Sequence, residues 1–173
     1  SHVAEAGKLY SESEAIIVSF LEKAAKDKSE VILIPGDLAD SGLTGEMDIV
    51  AKMFKEFEEL TGKQIYVTVG NHDAGVDCET ELDDFKRIYA DFGYDKAIDT
   101  LEGTCSYTAD LGSKYRLIAL DSCHANYSTE DGMTSEKVKW VCDMAEKATE
   151  EGRYPILMMH HNLIDHLPLQ RIF

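Results

Sequence analysis

Two short strings carry most of the chemistry that this chain can offer, Gly36-Asp37-Leu38-Ala39-Asp40 and Gly70-Asn71-His72-Asp73. Each follows an apolar run, Val31 to Ile34 in the first case and Ile65 to Val69 in the second. A third run, Pro155 to Met159, ends in His160-His161-Asn162. Carboxylate, amide and imidazole groups thus sit just past the ends of three expected strands. Ligand sites in open α/β sheets gather outside the carboxyl ends of the strands. Taken singly, each string has an ordinary explanation, since Asp, Asn and Gly are turn residues and paired histidines are common on surfaces. Together, at three strand ends, they point to a site for a hard metal ion and a phosphate.

The elements that must position these groups are legible in the apolar spacing. Ser11 with Glu14 predicts a capping box, followed by a helix burying Ile17, Phe20, Leu21 and Ala24. Val31 to Ile34 is a continuous apolar run, as in a strand covered on both faces. Met47, Val50, Phe54 and Phe57 recur at helical spacing up to Gly62. Strand, helix and strand in that order predict a right-handed crossover with parallel strands, which brings Asp37 and Asn71 to the same edge. Thr80 and Asp83 predict a helix cap, with Leu82, Phe85 and Ile88 inward as far as Asp91. Thr104 to Leu111 and Tyr115 to Leu120 read as a hairpin about Gly112-Ser113, which makes the sheet arrangement mixed. Residues 122–133 read as a loop. Thr134 then caps a helix with Val138, Val141, Ala145 and Ala148 facing inward.

Bulk properties restrict the partners. With 17 basic and 33 acidic residues among 173, the formal net charge is -16. Such a chain repels nucleic acid and anionic membrane at long range, although a bound divalent cation reverses the local field. A small phosphorylated partner is therefore favoured over a polyanion. No apolar run approaches the ~20 residues of a membrane span, and no signal peptide opens the chain. Cys78, Cys105, Cys123 and Cys142 lack zinc-site spacing and read as unreactive thiols, with a disulfide as the alternative in an exported protein.

The strings GDLADSG and GNHD, with the histidine that ends a later apolar strand, resemble the calcineurin-like metallophosphoesterase family from Val31 to His161. The resemblance implies a four-layer α/β/β/α sandwich with a mixed sheet. It also implies a phosphomonoesterase or phosphodiesterase that uses two divalent ions such as Mn, Fe or Zn, attacking phosphorus with hydroxide activated by the metals. Carried over by residue, it implies that Asp37 bridges the two ions, while Asn71 and His160 bind the second. His72 becomes the general acid that protonates the leaving oxygen. Asp40, Asp73 and His161 are expected beside the ligands as orienting groups, and His166 in the substrate pocket. His2 and His124 receive no role, and Asp121 is expected behind the site. The stretch from Tyr89 to Ser106-Tyr107, then Leu117 to Ser122, looks like bacterial members that act outside the cytoplasm; a cytoplasmic protein is the alternative.

Two family motifs have no match in these residues. Nothing before Val31 matches the DxH motif, and no GHxH follows His161. The expectation is one domain over 1–173, incomplete at both ends, with ligands for one metal or none. A non-catalytic domain that binds phosphate, metal or a partner, and a nuclease of the same fold, are the alternative readings.

Overall fold

A computed structural model describes residues 12–75, 78–123 and 132–163. The elements run α1 (Ser13–Lys26), β1 (Val31–Ile34), α2 (Thr44–Thr61), β2 (Gln64–Val67), α3 (Leu82–Ile88), β3 (Asp99–Thr100), β4 (Tyr107–Leu111), β5 (Tyr115–Leu120), α4 (Ser135–Glu150) and β6 (Tyr154–Met159). Two 3-10 turns, Ala90–Phe92 and Tyr94–Lys96, lead from α3 into β3.

The strands divide into two sheets. β1 and β2 pair in parallel, Val31 opposite Gln64 through Ile34 opposite Val67. The second sheet has the order β3-β4-β5-β6, antiparallel up to β5 and parallel between β5 and β6. The mixed character comes from the β4–β5 hairpin.

Side-chain alternation converts these sheets into four layers. Along β1 and β2, Ile32, Ile65 and Val67 face the helices, packing with Met47, Val50, Phe54, Phe57, Leu21 and Phe85. Val31, Leu33 and Tyr66 point the other way, against Tyr107, Ala109, Leu117, Ala119 and Met158 of the second sheet. Ile118 and Leu120, on the far face of β5, meet Trp140, Val141 and Met144 of α4. Period-two alternation on strands buried on both faces thus yields helices, sheet, sheet and helix in succession. At the carboxyl ends of β2 and β5 the two sheets are tied directly. Tyr107 Oη donates to the Val67 carbonyl at 2.8 Å and Thr68 Oγ1 to the Leu120 carbonyl at 3.3 Å.

Several element readings need correction. Ser11 lies outside the described residues; α1 starts behind Glu12, whose side chain makes no capping bond. Phe20 is 45% exposed, so the buried stripe of α1 is Ile17, Leu21 and Ala24. Thr80 does not cap α3. Its hydroxyl donates instead to the Gly42 carbonyl at 2.7 Å, and Glu81 stands at the helix start. α3 ends at Ile88, and the strand expected from Thr104 begins at Tyr107. Thr134 does cap α4, accepting from the Lys137 amide at 3.2 Å. Val141, Ala145 and Ala148 of that helix lie inward as expected, whereas Val138 is exposed and Trp140 and Lys137 are buried. Trp140 contributes more apolar area than valine, and it widens the packed face on the side away from Val138.

All four cysteines carry free thiols. Cys105 and Cys123 are 1% and 5% exposed, and burial pushes both thiols far above their ordinary range. Alkylation of the native protein is therefore expected to label the exposed Cys142 promptly, and Cys105 and Cys123 only on unfolding. Mass mapping of the labelled sites checks this; native-state labelling of Cys105 at the rate of Cys142 contradicts the packing described.

Candidate metal centre

The loop after β1 and the loop after β2 are packed against each other, and glycine is what allows it. A Cβ on Gly36 would lie against the Gly70 backbone, and a Cβ on Gly70 against the Asp37 amide and carboxylate. Gly36 has φ +88° and Asp37 follows at φ +56°, the only non-glycine residue with positive φ among those described. A non-glycine residue held there carries backbone strain that the surroundings must maintain, and such strain concentrates at functional sites.

Asp73 is what maintains it. Its Oδ2 accepts from the amides of Asp37 and Gly70, both at 2.8 Å, and its Oδ1 from those of Leu38 at 2.6 Å and Ala39 at 2.9 Å. One fully buried carboxylate thus staples both loops together. Burial pushes its pKa up to about 6, opposed by the amides of Gly70, Ala39 and Leu38 and reinforced by the nearby Asp37 charge. At neutral pH it is therefore ionised, the acceptor-only form that four donors require.

With the loops fixed, three donor atoms from three strand ends converge. His160 Nε2 lies 3.0 Å from Asn71 Oδ1 and 3.4 Å from Asp37 Oδ2. The other ring nitrogen, Nδ1, is 3.0 Å from the Pro35 carbonyl. A carbonyl only accepts, so Nδ1 carries the proton, which leaves Nε2 as the ring atom able to present a lone pair to a cation beside the two oxygens. Three lone pairs aimed at one small volume fit a divalent cation: carboxylate, amide oxygen and imidazole together suit Mn, Fe or Zn. The Pro35 carbonyl supplies the outer hydrogen bond that metal-bound histidines ordinarily have. No group of three or more His, Cys, Asp or Glu side chains capable of holding a metal occurs among the described residues; the convergent set depends on Asn71.

His72 stands beside this set without joining it. Its amide donates to Asp37 Oδ1 at 3.2 Å, and its Nδ1 lies 2.7 Å from the Asp40 carbonyl. That bond holds the ring through Nδ1. Asp40 therefore reaches the site through its backbone carbonyl. His161 packs edge-on against the His160 ring, centroids 4.9 Å apart, with Nδ1 3.0 Å from Ser122 Oγ, which also accepts from the His161 amide at 3.0 Å. His166, like His2 and His124, lies outside the described residues.

Ser122, in the stretch that the sequence predicts as a loop, holds His161, a contact the sequence does not predict. The available signal was its position, two residues beyond the apolar run that ends at Leu120. Asp121 next to it is buried, accepting from the amides of Cys105 and Cys123 at 3.0 and 2.9 Å and lying 3.6 Å from the buried Lys137 ammonium. Lys137 also donates to the Cys123 carbonyl at 3.0 Å. These bonds fix the end of β5, on which the turn carrying His160 and His161 rests.

The model of the calcineurin-like phosphoesterase family matches residues 9–170. No curated protein matches the chain. No helix among the described residues is long and apolar enough to cross a membrane.

Proposed function

The chain belongs to the calcineurin-like phosphoesterase family, and from that membership we propose that it is a metal-dependent hydrolase of a small phosphate ester. The observation that carries this reading is the convergence of Asp37, Asn71 and His160 on one point, with His72 held alongside. In this reading Asp37, Asn71 and His160 would hold a divalent cation, with Asp37 the residue also available to a second ion. When bound, such ions activate water, polarise the phosphoryl group and offset its charge.

The chain's own residues do the rest. The amide oxygen of Asn71 contributes no negative charge, which limits repulsion of an anionic ester. Asp73 keeps Asp37 and Asn71 in register through the two loop backbones. His72, oriented by the Asp40 carbonyl, carries on Nε2 the proton that passes to the departing alcohol oxygen. The hydrogen bond from its backbone N–H to Asp37 Oδ1 ties the residue that carries the proton donor to an ion-holding residue.

This division of labour has a specific test. His72→Ala is expected to keep its metal content. It should lose about 10²–10⁴-fold in kcat on alkyl phosphate esters, the usual contribution of a general acid. On p-nitrophenyl esters, whose leaving group departs without a proton, the loss should be far smaller. An equal loss on both ester types, or loss of metal, overturns the assignment.

A further inference from the structure

A groove of about 710 Å³ opens from the candidate site and runs between α1 and α2. Its floor at the site end is the segment Asp37 to Asp40 with His72. Its walls are apolar, Ile16 and Ile17 from one helix and Ile49, Val50 and Met53 from the other. Ile16 and Ile49 are 51% and 62% exposed, large apolar side chains left at the rim of a polar site. The charged side chains that line the groove, Glu14, Asp37, Asp40 and Glu46, are all acidic; no lysine or arginine lines it among the described residues.

These features say what belongs there. The proton donor and the alcohol it protonates must lie within hydrogen-bond reach of each other, so the leaving group occupies the space that His72 borders. That space is apolar and its charges are negative. We infer that the preferred substrate is a phosphate ester whose leaving group is an uncharged apolar alcohol, and not a nucleotide, a sugar phosphate or any ester with a second anionic group. A second phosphate or carboxylate in the groove would face Glu14, Asp40 and Glu46, with no lysine or arginine among the described lining residues to pair it. Volumes of this size accommodate drug-sized apolar groups. A soluble alkyl or aryl ester and a lipid phosphate ester share this chemistry.

The inference rests on the phosphoesterase reading, and the experiment separates the two. The full natural protein, loaded with Mn²⁺, is assayed on hexyl phosphate, glycerol 1-phosphate and a nucleoside diphosphate. Both monoesters release primary alcohols, and glycerol is the more acidic of the two, so a kcat/KM ratio in favour of hexyl phosphate reports the groove and not the leaving group. Burial of part of the hexyl chain predicts a ratio of about 30 in favour of hexyl phosphate, with the diphosphate slowest. Ile49→Glu, at an exposed position, is expected to lower that ratio about tenfold, since each lost methylene contact weakens the preference. Dodecyl phosphate distinguishes the sources: a rise in rate above its micelle concentration marks a lipid surface, and saturation below it a soluble ester. A ratio near one, faster cleavage of the diphosphate, or an unchanged ratio in Ile49→Glu overturns the inference and leaves the phosphoesterase reading standing. No hydrolysis of any ester overturns both.

Discussion

Asp73→Asn is expected to destabilise the protein by about 2–5 kcal/mol, the largest effect of any single isosteric change at this site. The carboxylate accepts two amides on each oxygen, from Asp37 and Gly70 on one and from Leu38 and Ala39 on the other. An asparagine keeps one oxygen and replaces the other by an NH₂ group. Whichever way it turns, two of these N–H groups then face a donor beside a fully buried side chain. Each such group left unsatisfied costs roughly 1–3 kcal/mol. The strained turn at Asp37, with φ +56°, loses its restraint at the same time. Urea unfolding at neutral pH measures the effect. Asp83→Asn, at an exposed carboxylate paired only with Lys86, serves as the control that leaves the midpoint in place. A native-like midpoint for Asp73→Asn would show that the two loops are held by something other than this carboxylate.

The second large effect is chemical. Asp37→Asn is expected to abolish hydrolysis, by at least about 10³-fold, while the fold survives. Asparagine tolerates left-handed backbone at least as well as aspartate, so the turn is kept. What is lost is the negative charge at the point where His160 Nε2 and Asn71 Oδ1 converge. A site left with one amide and one imidazole holds a divalent ion weakly, because hard cations select charged oxygen. Circular dichroism with an ester assay separates the two consequences: native spectrum with no turnover is the expected pair. Retained turnover would remove Asp37 from the mechanism.

Much of this was legible in the sequence, for physical reasons that differ by element. Met47, Val50, Phe54 and Phe57 recur at helical spacing, and all four are buried in α2. Val31 to Ile34 and the run from Ile65 are apolar on both faces because they lie between helices and a second sheet. The parallel pairing of β1 with β2 then puts Asp37 and Asn71 at one edge. Phe20 and Val138 were misplaced because periodicity cannot tell which flank of a stripe meets a neighbour, and a single Trp140 outweighs it. The division into two sheets left no local signal, since alternation within a strand is the same whatever covers it.

At the site, residue types were readable and their partners were not. The contacts that orient the two histidines are backbone carbonyls, of Pro35 for His160 and of Asp40 for His72. Every residue has a carbonyl, so composition is silent about which one is used. The grip of Ser122 on His161 spans 39 positions and follows from the β5–β6 pairing. The groove beside His72 likewise depends on how α1 lies against α2.

Equilibrium titration with Mn²⁺ or Zn²⁺ of the native protein, His160→Ala and His72→Ala tests the centre most directly. Native protein and His72→Ala are predicted to bind the ion with the same affinity, and His160→Ala at least about 100-fold more weakly. Equal affinity in all three, or loss of binding in His72→Ala alone, would contradict a site built from Asp37, Asn71 and His160.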